Sequence, residues 1–521
     1  LPYIQAGGYR KVLGNTRNLF RLITISRVLA KHNALFFLDE MNVPSSLIFL
    51  SGIFSSRKND LPKGQRLANA FIELGPTFVK FGQALSVRPD VVGEEVAKDL
   101  SKLQDKMESF PFEEARAIIE SDFSGKLEDF FDGFEETPVA AASIAQVHFA
   151  NGKNGEMFAV KVLRPGIEEA FKRDINFFYW LADKVHRNVP RARRLKLREV
   201  VRTFEQSVKF EMDLRLEAAA ASELKENFVN DNDLKIPEIN WQMTSRHVMV
   251  MERISGINID DREALLAAGH DIKEILRKTS DIFFKQVFRD GFFHADMHPG
   301  NLFVDSEGKI VAVDFGIMGR LDRKTRLFIA EMLHGFLNRD YKKVADVHFE
   351  AGYTPSHKSR ELFAQACRSI GEPIFGRPQN EISMAILLAQ LFKISEDFEM
   401  ETQPQLLLLQ KTMVAIEGIW RMLDKQSNFW ELSRPVVEKW GKENLGMEAK
   451  IKDKANELKN LGKKLNSAAQ VIEFIPDIFT KDGVKLHPDT VDLFASKKNN
   501  GNGKMIIIVA LIIALAGIII L

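Results

Sequence analysis

The sequence predicts an α+β protein with a helical majority, on three observations. Residues 1–125 and 322–496 carry apolar side chains at helical spacing, as in RLITISRVL and FIELGPTFVKFGQAL. Two β-leaning runs, SIAQVHFA and MFAVKVL, flank NGKNGE, whose Asn and Gly residues suit a hairpin turn. Strand character returns in HVMVMERI (247–254) and GKIVAVDFGIMG (308–319), with one long helical run, 200–228, before them.

With 521 residues the chain exceeds the ~250–300 at which a single core stops growing, so at least two structural units are expected. Hydrophobic residues at 45% and charged residues at 27% exclude a disordered chain. A net charge of +1 gives no ground for a nucleic-acid partner, and none is expected. The one cysteine, Cys367, excludes an intrachain disulfide, and no CxxC or Cys/His cluster points to zinc. Arg21, Arg27 and Lys31 interrupt the apolar residues of 17–37, so no secretory signal is expected there. Residues 505–521, MIIIVALIIALAGIIIL, carry no charge and as a helix would span ~25 Å. A C-terminal transmembrane helix is therefore expected, joined by the flexible linker KKNNGNGK (497–504). Lys497, Lys498 and Lys504 favour a cytoplasmic start, leaving the large soluble portion facing the cytoplasm.

The densest chemical signal is HADMHPGNLFV (294–304), followed by VDFG at 313–316. Asp296 and Asn301 have the five-residue separation of the Asp and Asn in the kinase catalytic loop, and Asp314 opens a DFG triplet eighteen residues after Asp296. Phosphoryl transfer explains the spacing. Carboxylate and amide oxygens must hold Mg²⁺ against the phosphates of ATP, with an acidic group beside the attacking oxygen. Lys161, in FAVKVL, stands on a predicted strand as the phosphate-contacting lysine of a kinase does. Where a kinase has its glycine-rich loop, this chain has Ala140, Ala141, Ala142, Ser143, Ile144, Ala145, Gln146 and Val147. Alanine restricts the backbone freedom that lets N–H groups approach phosphates, so nucleotide pose should differ. Met251, in VMVMERI, falls where a kinase hinge meets adenine, and a core strand accounts for it equally well. Glu211, Asp213 and Glu217 sit on the one helical run, with Asp213 and Glu217 sharing a face and Glu211 turned away. His294 and His298 read as loop scaffolding rather than metal ligands. The basic run 187–198 reads as a solvated surface, with anionic lipid as the alternative.

These features together resemble the UbiB family of atypical kinases, also called aarF-domain-containing kinases. The marks are Lys80-Phe81-Gly82-Gln83 with Ser86, Arg88, Pro89 and Asp90; the alanine-rich loop; Glu211 and Asp213; and H-A-D-x-H-P-G-N at 294–301. They span roughly residues 65–320. The resemblance implies a two-lobed protein-kinase-like fold: a helical extension (1–125), an N-lobe (126–253), and a helical C-lobe and tail (254–496). It implies that Lys161 pairs with Glu217, that Asn301 and Asp314 hold Mg²⁺, and that Asp296 takes the catalytic-base position. Lys80 and Gln83 would lie on a helix folded over the cleft near Glu211 and Asp213, in a regulatory role. The membrane segment suggests the bacterial branch associated with ubiquinone biosynthesis, hence the inner membrane. The expected function is an ATPase whose partners are membrane lipid or quinone intermediates and other quinone-biosynthesis proteins. A true protein or small-molecule kinase and a nucleotide-binding pseudokinase scaffold are the alternatives.

Overall fold

A computed structural model describes residues 6–36, 61–86, 92–100, 103, 108–188, 197–375, 390, 394, 397–400, 403–424, 440–441, 479–480 and 483–484. The helical spacing of the N-terminal region is realised as α1 (Ala6–Lys31), α2 (Lys63–Leu74), α3 (Pro76–Ser86), α4 (Glu94–Leu100) and α5 (Phe112–Phe123). The β-leaning centre becomes β1 (Phe131–Phe134), β2 (Ala140–Ala141), β3 (Ala145–Gly152) and β4 (Met157–Leu163). β3 and β4 form the expected hairpin, paired from Ala145↔Leu163 to Asn151↔Met157, and Gly155 at φ 84° supplies the turn. Helices α6 (Ile167–Asn188), α7 (Leu197–Glu211) and α8 (Leu214–Asn227) follow, then β5 (Leu234–Lys235) and β6 (Val248–Glu252).

β6 completes a five-stranded sheet in the order β1-β3-β4-β6, with β2 on β3. Period-two alternation divides its residues between two faces. Val160, Val162, Val248 and Val250 are fully buried with Phe110, Ala115 and Ile119 of the α5 region. Ala159, Lys161, Met249 and Met251, paired across the same strands, take the opposite face. That second face carries the chemistry.

The run 200–228 is two helices rather than one, which corrects the expectation for its acidic residues. α7 ends at Glu211, and Asp213 is the N-cap of α8, its side chain accepting the Arg215 N–H. An aspartate that satisfies an otherwise orphaned helix N–H competes with helix continuation, so the chain turns there. Glu211 and Glu217 thus belong to different helices, and Asp213 does not stack on Glu217 as an i, i+4 neighbour.

Aromatic side chains bind the N-terminal extension to the rest. Phe81 on α3 stacks on Phe178 of α6 with centroids 4.6 Å apart and meets Phe204 of α7 at 5.5 Å. Phe78 packs edge-on against Phe178 at 5.3 Å. Arg21 of α1 reaches the buried Asp174 of α6 at 2.8 Å.

Beyond β6 come β7 (Ile257–Asn258), α9 (Arg262–Ala267) and α10 (Ile272–Phe284), which runs on into a π-helical turn, 285–290. β8 (Phe292–His294), β9 (Leu302–Val304), β10 (Ile310–Ala312) and β11 (Met318–Arg320) then alternate with the two motif loops. β5, β10, β9 and β7 make a four-stranded sheet, and β8 pairs with β11. α11 (Arg323–Leu337), α12 (Tyr341–Glu350), α13 (Arg360–Phe375) and α14 (Pro404–Leu423) follow. Residues 1–438 form one unit and 439–521 a second, of which residues 440–441 and the strand pair 479–480 and 483–484 are described.

The expected linker (497–504) and membrane helix (505–521) lie outside the described residues, as do Arg88, Pro89, Asp90 and residues 189–196. Among the described residues no helix is long and apolar enough to cross a membrane.

The β8–β11 pair is packed without spare room. Gly319 faces Phe293 across the pair, and a Cβ built on it would lie 2.1 Å from the Phe293 ring, which is fully buried. Gly319→Ala is expected to lower folding stability by about 1–3 kcal/mol through overpacking. A denaturant melt equal to the parent's would show that the ring can move aside.

Candidate active site

The site is assembled around Lys161 on β4. Its Nζ lies 2.7 Å from Glu217 Oε1 on α8 and 3.1 Å from Asp314 Oδ1. The Lys161 and Glu217 side chains are 9% and 6% exposed, whereas that of Asp314 is 45% exposed, so the triad opens to solvent on the Asp314 side. Burial disfavours the ammonium charge, but Asp314 and Glu217 hold the lysine above its ordinary range. Burial likewise pushes the Glu217 carboxyl up to about 7, against the pull of Lys161. For Asp314 burial is outweighed: Lys161, and after it Lys80, hold the carboxyl below the usual range.

Asp314 has a left-handed backbone, φ 61°, which aspartate tolerates better than most residues. Its Oδ1 accepts the Gly316 N–H at 3.3 Å, and a Cβ at Gly316 would stand 3.3 Å from that oxygen and 3.9 Å from Glu217 Oε2. The glycine of the DFG triplet therefore leaves room for two carboxylates to converge.

The catalytic-type loop, 295–301, hangs between β8 and β9 on a backbone scaffold. Buried Gln286, in the π-helical turn, accepts the His294 N–H at 2.8 Å. Such turns recur where a helix must re-aim a side chain at a functional site. His294 Nδ1 accepts the Asp296 N–H, so its Nε2–H is left to donate to the Val313 carbonyl. Burial pushes the His294 pKa down, consistent with that neutral tautomer. His298 Nδ1 accepts the Gly300 N–H. Both histidines are thus engaged in the loop. Val313 N–H donates to the Asn301 carbonyl, tying this loop to the DFG segment.

Asn301 spends its Nδ2 on the Asp296 carbonyl, which leaves Oδ1 as its cation-ligating atom. An amide oxygen and a carboxylate are the hard donors Mg²⁺ prefers, so Asn301 and Asp314 fit the ion that accompanies ATP. Among the described residues no group of three or more His, Cys, Asp or Glu forms a metal cage. Mg²⁺ needs none here, because substrate phosphates complete its shell.

Asp296 carries a partner that the motifs do not announce. Lys411 of α14 donates from Nζ to Asp296 Oδ1 at 2.8 Å, across 115 residues of sequence. Nothing in LLLLQKTMVAIEGIW marks that lysine as more than the polar side of an apolar helix.

The alanine-rich loop is held from behind. Ala142 N–H donates to the Ala145 carbonyl, closing a tight turn around Ser143 and Ile144. Arg164 donates to the carbonyls of Ala142 and Glu108, and its guanidinium covers the Phe110 ring at 5.3 Å. Within 140–147 several side chains pack into the protein. Gln146 is fully buried, its amide exchanging hydrogen bonds with the Phe110 backbone and contacting His148, and Ser143, Ile144 and Ala145 are buried too. Alternation is the reason: Val147 pairs with Lys161 and shares its face, so Gln146 must point the other way. Met251 lies within β6 on the Lys161 face, so a strand position and a place along a nucleotide wall are compatible.

Lys80 and Gln83 stand at the border of this site. Lys80 Nζ lies 2.9 Å from Glu211 Oε2, with both side chains largely buried, and its charge acts on Asp314. Gln83 Nε2 donates to the Leu103 carbonyl at 3.3 Å. Gly82 permits this packing, since a Cβ there would meet Leu103 and Phe71 at 2.6 and 2.7 Å. Asp213 is apart from Lys80 in role: besides capping α8 it forms a bidentate pair with Arg215.

Comparison with known proteins agrees with this geometry. The ABC1 atypical kinase-like domain matches residues 102–348, and the UbiB helical domain matches 367–428. A protein named probable protein kinase UbiB from Marinobacter nauticus is 41% identical over 449 residues, covering 84% of this chain and 82% of its own. Proteins of the same name from Actinobacillus pleuropneumoniae serotype 7 and Pectobacterium carotovorum are 43% and 40% identical. The first covers 76% of this chain and 75% of its own, the second 90% and 86%. With a buried Lys161–Glu217 pair, a DFG aspartate and a helical module at the catalytic loop, the chain belongs to the UbiB family of atypical kinase-like proteins.

Proposed function

We propose that this protein is a Mg²⁺-dependent ATPase that works at a membrane in support of ubiquinone biosynthesis. The observation that carries the reading is the buried Lys161–Glu217 pair set against Asp314, with the Lys80–Glu211 pair of the helical extension at its border. Lys161 would contact the α- and β-phosphates, with Glu217 fixing its orientation. Asn301 and Asp314 would hold Mg²⁺, which when bound neutralises charge that develops on the phosphates. Asp296 would orient the attacking oxygen and receive its proton. α3, packed on α6 through Phe78 and Phe81, would border the cleft where a kinase admits a peptide, which favours water as the acceptor. The relatives' names favour a protein acceptor instead, and the same assay separates the two. The membrane partner would be lipid or a quinone intermediate, met together with other quinone-biosynthesis proteins, on the cytoplasmic side of the inner membrane.

Purified full chain, Mg²⁺, γ-labelled ATP and quinone-containing vesicles form the test, scored for free phosphate against labelled protein or lipid. Asp314→Asn is expected to lower phosphate release at least about tenfold, since a neutral amide cannot balance the cation as a carboxylate does. Unchanged release in that variant would remove Asp314 from the metal site. Labelled protein with no free phosphate would replace the ATPase reading by a kinase.

Residues 505–521 would supply the anchor. Deleting 497–521 is expected to move the protein from the membrane pellet to the soluble fraction with its Mg·ATP affinity kept. A truncated protein that still pellets as fully as the parent would assign anchoring to another segment.

A further inference from the structure

The catalytic-type loop has no basic side chain of its own beside Asp296. Residues 294–301, HADMHPGN, include no lysine or arginine. Its histidines each spend Nδ1 as acceptor on a loop N–H. Lys161 is held by Glu217 and Asp314, and Lys80 is paired with Glu211. A phosphoryl group presented to Asp296 would bring its charged oxygens against a carboxylate, and the repulsion must be offset there.

Lys411 is built to do this. α14 is anchored by the stripe Leu409, Met413, Ile416 and Trp420, all buried at helical spacing, and by Arg262 donating to the Leu423 carbonyl at its C-terminal end. Lys411 lies off that stripe and reaches Asp296 Oδ1 at 2.8 Å. The two side chains are 34% and 29% exposed. A pair so open to water adds little to folding, so its location is what requires explanation. Any oxygen hydrogen-bonded to Asp296 Oδ1 at about 2.8 Å would stand within about 5.6 Å of the Lys411 ammonium, a gap its flexible stem can close.

We propose that Lys411 is a catalytic residue: it holds Asp296 in the resting site and shifts to the γ-phosphoryl oxygens during transfer. This rests on the phosphoryl-transfer reading above. The water oxygen bonds to the γ-phosphorus while the bond from that phosphorus to the β–γ bridging oxygen breaks. ADP leaves with the electron pair, and the water's proton passes to the Asp296 carboxylate and on to solvent. Lys411 keeps its protons throughout and acts by charge alone. The helical module (367–428) thereby contributes a group that meets Asp296 of the kinase-like domain (102–348).

The test compares the full chain with Lys411→Met, Lys411→Gln and Lys411→Arg, each checked by thermal melting. The neutral variants should lose kcat for phosphate release by about tenfold to a hundredfold, with Mg·ATP affinity within about twofold of the parent. Lys411→Arg should recover part of the loss. Affinity for Mg·ADP with aluminium fluoride, a mimic of the transferring phosphoryl group, should fall at least about tenfold in the neutral variants while affinity for Mg·ADP alone holds. Unchanged or raised kcat in both neutral variants, or equal aluminium fluoride affinities, would overturn the proposal and leave Lys411 a surface pair. A parent that releases no phosphate would end the ATPase reading, and the aluminium fluoride comparison would still decide the role of Lys411. Should Lys411→Met fail to fold, Lys411→Gln removes the charge while keeping a polar side chain at the position and decides the matter.

Discussion

A lysine buried between two carboxylates sets the terms for the rest of the structure. Lys161 could not be buried as an ammonium without Glu217 and Asp314, and neither carboxylate is supplied by its own sheet. Glu217 requires α8 to start where it does, and Asp314 requires β10 to end where it does. Removing Lys161 would leave the buried Glu217 without its counter-charge, which costs about 3–5 kcal/mol. The demand explains several local choices: the Asp213 cap that begins α8, the left-handed backbone at Asp314 and the bare Gly316 beside it. It also leaves one side open, because Asp314 remains half-exposed toward the space where a metal and phosphates would enter.

The helical extension is joined to this centre by two kinds of force with different tasks. Apolar contact does the holding: Phe78 and Phe81 fill against Phe178 and Phe204. Electrostatics does the aiming, since the largely buried Lys80 ammonium is set against the Glu211 carboxylate. The strap at the alanine-rich loop follows the same division. Phe110 enters the hydrophobic core of the sheet, while Gln146 and Arg164 hold the backbone around it. The extension is consequently built into the structure that surrounds Lys161 and Asp314.

Rigidity around the catalytic-type loop comes from its backbone rather than from salt bridges. Gln286, His294, His298 and the Val313–Asn301 link fix the chain on both sides of Asp296. The carboxylate itself is the adjustable part. Its partner Lys411 sits on a long flexible stem from a separate helix, so the charge balance at Asp296 can change while the loop stays still.

The sequence by itself determined the elements and the motif chemistry. Alternation in SIAQVHFA and MFAVKVL placed Lys161 on a strand, and the spacing of Asp296, Asn301 and Asp314 put three oxygen-bearing side chains on two neighbouring loops. These are local properties, carried by period and by turn residues. Local reasoning failed where one residue changed the path of the chain: an aspartate capable of capping a helix reads, in a helical run, as one more acidic position. The facing of Gln146 likewise depends on register with β4. Only tertiary structure decided where two other basic side chains go. Lys411 with Asp296 and the Arg164 guanidinium with the Ala142 carbonyl are each brought together by packing, and no spacing rule connects residues 115 and 22 positions apart.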